Sequence, residues 1–141
     1  LMAGDATRAY SAATLALVLV PDDPDLLTDR AVAAATLNRP FDAIDDLNKV
    51  IDLDPARAEA LVLRASAWRQ AGRAELAADD IARALAIDPG NPEAFVERGM
   101  LRAASGDYAS ARGDFLRAAE LAPGTPTEEL ARAQMAAIAG R

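Results

Sequence analysis

Apolar side chains recur at intervals of three and four along most of the chain. Examples are Leu27, Ala31 and Ala34, then Leu61, Ala65 and Trp68, then Ala77, Ile81 and Ala84, then Ala111, Phe115 and Ala118. This spacing puts one apolar stripe on an α-helix and leaves the remaining faces polar. It predicts helices near 6–19, 25–37, 41–53, 58–70, 74–87, 92–104, 108–121 and 127–139, and no segment alternates in the manner of a strand. Short breaks at Asn38-Arg39-Pro40, Ala71-Gly72-Arg73 and Ser105-Gly106-Asp107 read as tight turns inside helical pairs. Glycine relieves the backbone restriction there, and Pro40 opens the next helix, where a missing amide donor costs nothing.

A longer period lies over the short one. Pro21, Pro55, Pro89 and Pro123 recur with a constant period of 34, each inside a related phrase: Val20 to Leu26, Asp54 to Ala60, Asp88 to Ala94, and Ala122 to Glu128. Each phrase ends one helix and starts another, with Pro24 and Pro92 in first-turn positions. The chain therefore divides into three full helical pairs, 24–57, 58–91 and 92–125. A second-type helix of a partial unit precedes them at 6–21, and a closing helix follows at 126–141.

The period of 34, the paired helices and the small residues at their crossings resemble the tetratricopeptide repeat family. The first unit carries Leu27, Ala31, Ala34, Ala43, Leu47, Val50 and Pro55. The second carries Leu61, Ala65, Trp68, Ala77, Ile81, Ala84 and Pro89, and the third Phe95, Gly99, Arg102, Ala111, Phe115, Ala118 and Pro123. Ala34 and Arg102 depart from the family's large aromatic position, which Trp68 fills. Ala31 and Ala65 replace the small glycine kept at Gly99. The resemblance covers all but Leu1 to Asp5, and it implies an all-α, right-handed superhelical solenoid of antiparallel helix pairs, with Trp68 packed in the core.

Composition removes most chemistry. The 141 residues contain no cysteine and no histidine. Disulfides, thiol nucleophiles, imidazole bases and thiolate or imidazole metal sites are therefore out of reach. Of the residues, 36 are alanine, which suits close helix packing, and the formal charge of -7 opposes a phosphate backbone. Nucleic acid is not an expected partner, and no catalytic residue, cofactor or metal site is assigned. Asp22, Asp23, Asp25 and Asp29 lack the spacing and glycine of a calcium loop, and read as helix-start charge. The apolar run Ala12 to Val20 is too short to span a bilayer and lacks a small-residue cleavage pattern, so it reads as a packed helix. No membrane association is expected within this chain. The opening Leu1 points to a fragment or a processed product.

Two polar patterns remain. Arg30, Arg64 and Arg98 precede Asp46, Asp80 and Asp114 at a constant spacing of 16. The arrangement predicts structural ion pairs between helices. Asp45 with Lys49 and Asp79 with Arg83 have the i,i+4 spacing of weak helix-surface pairs. The resemblance also assigns a concave groove to the first helix of each unit, at Asp25, Thr28, Val32, Ala35 and Thr36, then Glu59, Val62, Ser66, Arg69 and Gln70, then Glu93, Val96, Met100, Ala103 and Ala104. Thr127, Leu130, Gln134, Ala137 and Ile138 continue that wall. Glu59, Val62, Ser66, Arg69, Gln70, Glu93, Val96 and Met100 are the candidate partner-binding residues. The lysines and asparagines with which some family members clamp a partner's terminal carboxylate are absent from these positions.

The expected function is a noncatalytic protein-interaction scaffold that binds a peptide or protein through the groove. One alternative is a structural or self-associating module of a larger protein. In that reading the unpaired N-terminal helix finds its neighbour in a missing helix or a second copy, forming a homo-oligomer. Another alternative is an oxygen-ligated, metal-dependent hydrolase using Asp and Glu, although no phosphate loop, nucleophile elbow or zincin motif supports it. Glu128, Glu129, Arg132 and Gln134 give the last helix the wetter face of a terminal cap.

Overall fold

A computed structural model describes residues 2–141, which form eight helices and, among these residues, no strand. They are α1 (Ala3–Leu19), α2 (Pro24–Thr36), α3 (Pro40–Leu53), α4 (Ala58–Gln70), α5 (Ala74–Ile87), α6 (Pro92–Ala104), α7 (Tyr108–Leu121) and α8 (Pro126–Ala137). The six inner helices lie within one residue of the positions that periodicity predicts. The outer two differ more: α1 begins three residues early, at Ala3, and α8 stops at Ala137. Thus Ala3, Gly4 and Asp5 belong to the helical array, and Ala6 directly after them is fully buried.

Side-chain caps mark the starts of α2, α6, α7 and α8. Asp23 Oδ1 accepts from the amides of Asp25 and Leu26 at 2.9 and 3.0 Å, directly before Pro24. Asn91 caps the amide of Ala94 before Pro92, and Thr125 caps the amide of Glu128 before Pro126. Each cap satisfies an amide that the first turn leaves without an intrahelical partner. Helix ends also follow the period of 34. Asn38, Gly72 and Gly106 all have positive φ, at 58°, 77° and 89°. This left-handed residue folds the next amide back, so Arg39, Arg73 and Asp107 donate to the carbonyls of Ala34, Trp68 and Arg102 at 2.8 to 2.9 Å.

Successive helices pack antiparallel, α2 on α3, α4 on α5 and α6 on α7. The first helices also touch one another, α2 to α4, α4 to α6 and α6 to α8. No helix reaches farther along the array, so the order is that of a solenoid in which each unit is stabilised by its neighbours. Leu27, Leu47, Leu61, Val50, Ile81 and Phe115 are the largest fully buried side chains. Each contributes about 1.5–3 kcal/mol of burial energy.

Small residues admit these side chains. Ala31, Ala65 and Gly99 precede Leu47, Ile81 and Phe115 by the spacing that also separates the arginines from the aspartates, so the smallest crossing residue faces the largest partner. A Cβ built on Gly99 would sit 2.5 to 2.9 Å from three carbons of the Phe115 ring. The core divides accordingly: one apolar cluster runs from α1 to α5 and includes Ala94 of α6, and a second, around Phe115, joins α6, α7 and α8.

Trp68 is not the centre of this core. Its indole is partly exposed, packing against the first cluster from the edge and meeting exposed Phe41 edge-on at 6.4 Å between ring centres. The crossings are filled by Leu47, Ile81 and Phe115 against Ala31, Ala65 and Gly99, and the indole lies at the rim.

Candidate functional site

The three arginines and three aspartates lie in register between the helices of each pair. Arg30 donates through Nε and a terminal nitrogen to the two oxygens of Asp46 at 2.8 and 2.7 Å, and Arg64 does the same to Asp80 at 2.8 and 2.7 Å. Arg98 meets Asp114 at 2.9 to 3.3 Å, and Arg102 adds a bond of 2.8 Å to the same carboxylate. The aspartate side chains are only 5 to 6% exposed. The hydrogen bonds that the guanidinium groups of Arg30 and Arg64 donate to Asp46 and Asp80 hold them above their ordinary pKa.

These arginines also reach backwards by the same spacing. Arg30 donates to Thr14 at 3.4 Å and Arg64 to Asn48 at 2.9 Å, each on the second helix of the preceding unit. Ala82 stands at the matching place before Arg98, so the ladder of polar ties stops between the second and third units. The expected pairs on the outer helix surfaces differ: Arg83 lies 4.0 Å from Asp80, one turn away, rather than beside Asp79.

The wall made by α2, α4, α6 and α8 brings the candidate binding residues onto one side. Val32, Ala35, Thr36, Leu63 and Ser66 border an open cleft of about 120 Å³ whose floor includes Ala31, Ala43 and Leu47. Asp25, Glu59 and Glu93 are exposed beside the N-terminal ends of their helices, and Met100 is partly exposed in α6. Val62 and Val96, by contrast, are only 6% and 3% exposed and belong to the two apolar clusters. They support the wall from behind and offer a partner little area.

Several of its polar groups are already engaged. Arg69 donates to Glu97 at 2.8 Å and lies 3.5 Å from the Ser66 hydroxyl, joining α4 to α6. Gln70 donates to the carbonyl of Ala35 and the side chain of Asn38, at 3.0 and 3.1 Å, joining α4 to the end of α2. Thr127 donates to Glu93 at 3.1 Å, and Arg57 meets Asp25 at 3.3 Å. Arg69 is therefore a cross-brace, and Glu97, its buried partner, is a groove residue that the repeat positions do not single out. Its register equivalents are Asp29, Leu63 and Ala131, and the one other acid among them, Asp29, is exposed, so no recurring buried acid marks the site.

Comparison with known proteins agrees with this geometry. A tetratricopeptide repeat profile matches residues 63–136, and a second of the same description matches 28–92. The chain belongs to the tetratricopeptide repeat family. Its right-handed solenoid of antiparallel helix pairs also resembles solved tetratricopeptide structures. The crystal structure of MamA is 22% identical with a TM-score of 0.72, covering 94% of this chain and 86% of that one. The Arabidopsis OM64 TPR domain is 25% identical with a TM-score of 0.69, covering 81% and 94%. The first TPR of Spaghetti (RPAP3), bound to the HSP90 peptide SRMEEVD, is 26% identical with a TM-score of 0.68, covering 82% and 93%. Comparison with curated sequences returns no match.

In this tetratricopeptide array, acidic side chains do not converge on a metal site: no group of three or more His, Cys, Asp or Glu among the described residues is placed to hold an ion. No helix of the described residues is long and apolar enough to cross a membrane. At the C-terminal end, the amide of Gly124 donates to Glu128 at 2.7 Å, and Arg132 to the same carboxylate at 3.0 Å. The first of these bonds, then the second, holds Glu128 below its ordinary pKa of 4.5. A depressed carboxylate contributes stability that is complete above the ordinary value and is lost as pH falls through the lowered one. Glu128→Gln therefore lowers Tm at pH 7 and leaves it nearly unchanged at pH 2; thermal scans across that range check the difference.

Proposed function

We propose that this tetratricopeptide chain is a noncatalytic interaction scaffold that binds a short peptide or protein segment along the wall of first helices. The supporting observation is the open cleft at Val32, Ala35, Leu63 and Ser66, on a wall of first helices whose starts carry exposed Asp25, Glu59 and Glu93. Aliphatic side chains fit the cleft, and its acidic border favours a partner carrying Lys or Arg. Binding is by shape and charge, with no chemical step. The structure of Spaghetti (RPAP3) holding an HSP90 peptide supports peptide binding as the mode. The bound peptide there, SRMEEVD, is rich in acid, whereas the wall in this chain is acidic and Arg69 is tied to Glu97. The preferred partner here is accordingly of opposite charge.

Fluorescence anisotropy against a library of aliphatic peptides, each made with Lys or Glu at its charged positions, tests this reading. The basic set should bind, weaken with added salt, and lose about tenfold or more in affinity when Ser66→Trp fills the cleft or when Glu59→Lys and Glu93→Lys reverse its border. Equal binding of both sets, or binders indifferent to all three substitutions, would exclude the proposed groove.

A further inference from the structure

The two ends of the solenoid are finished differently. In the closing helix α8, Glu129 occupies the position that Leu27, Leu61 and Phe95 hold, one period apart, in the units before it. Glu129, Arg132, Ala133 and Ala136 are all exposed, so the side that a second helix would cover is wetted by charge. That end is sealed.

At the other end, α1 rests on α2 alone, whereas α3, α5 and α7 each lie between two first helices. Its outward face reverses the pattern of its equivalents. Leu15 takes the place of Lys49, Arg83 and Arg117, and Val18 that of Asp52, Ala86 and Glu120. Leu15, Val18 and Leu19 are 73, 75 and 84% exposed. A helix whose second half exposes three large apolar side chains is built to be covered.

We infer that the outward face of α1 is a self-association surface, and that two copies of the chain pair through it, α1 against α1, antiparallel about a two-fold axis. Three observations select a second copy. The large exposed side chains Leu15, Val18 and Leu19 fill the C-terminal half, and the small exposed residues Gly4 and Ser11 lie before and at the midpoint. Antiparallel pairing sets large against small in both directions, and the space beside Gly4 is open to 4 Å.

Charge points the same way. Arg8 is 87% exposed with only a 3.9 Å approach to Asp5, and helical side chains lean toward their own N-terminus. In an antiparallel pair the guanidinium meets the last turn of the other α1, which has no basic residue of its own and is followed by Asp22 and Asp23. Asp5 and Arg8 cancel, so the whole -7 lies beyond Val20 and the pairing helices carry no net charge. Finally, one open end and one sealed end close the assembly at two copies and prevent a filament.

Sedimentation equilibrium of the 141-residue chain at tens of micromolar, with the variant Leu15→Arg/Val18→Glu, tests this assignment. The substitutions install residue types that equivalent positions in other units already carry, so circular dichroism should be unchanged. The expected wild-type mass is twice 14.7 kDa, the variant is monomeric, and Arg8→Glu alone weakens the dimer. A monomeric wild type overturns the proposal, including one whose α1 face binds neutral phosphatidylcholine vesicles instead. So does a mass that climbs past two copies with concentration, or a dimer that survives in the double variant. These readouts are independent of peptide binding in the groove.

Discussion

Asp80→Ala lowers the unfolding free energy by about 2–4 kcal/mol, the largest loss expected from any single charged residue in the chain. The carboxylate is 5% exposed and receives both forks of Arg64, which is itself 17% exposed. Its removal strands a guanidinium that retains only Asn48. The value falls at or below the usual cost of breaking a buried pair because Arg64 keeps part of its hydration. Asp114→Ala costs less, since Arg98 and Arg102 are 35 and 38% exposed and turn to water more easily. Arg64→Ala is intermediate, and exposed Arg73→Ala is nearly neutral. Urea titrations of the four variants give this order directly; equal small losses would mean that the ladder contributes nothing to stability.

Gly99→Ala and Gly113→Ala change stability in opposite directions, although both replace a glycine inside a helix. Alanine in an open helix interior gains about 0.5–1 kcal/mol from reduced chain entropy. Gly113 in α7 has no atom within 4 Å of the added carbon, so the gain is realised. At Gly99 the same carbon meets the Phe115 ring at 2.5 Å, and that ring is fully enclosed. Overpacking there costs about 1–3 kcal/mol and outweighs the gain. Adding Phe115→Leu to Gly99→Ala recreates the alanine and leucine of Ala31 and Leu47, and recovers part of the loss. A double-mutant cycle by thermal and urea unfolding measures the coupling.

Local rules and strict repetition make most of the architecture legible in the sequence. Turns needing a left-handed residue advertised themselves through Gly72 and Gly106. The spacing of 16 announced the arginine and aspartate pairs because the same geometry is built three times. Features that occur once were hidden. Glu97 joins Arg69 from one unit to the next, and its equivalents Asp29, Leu63 and Ala131 make no such bond. Val62 and Val96 lie on helices of the predicted wall, yet their burial depends on how closely the neighbouring first helices approach, a tertiary distance that a helical period does not encode. Trp68 packs against the first cluster, but from its edge, because the fit of Leu47, Ile81 and Phe115 against small residues had already filled the crossings.

The interruption of the arginine ladder at Ala82 gives the solenoid one joint of a different kind. Between the first two units, Arg64 rivets neighbouring second helices through Asn48 and Asp80. Between the second and third, the polar fastening is Arg69 with Glu97, on the groove side, and its arginine is 35% exposed. Mobile ions screen such a pair more than they screen the better-buried rung. The first junction is thus fastened on both sides, by Arg64 at the second helices and by Gln70 at the first, whereas the second is fastened on the groove side alone.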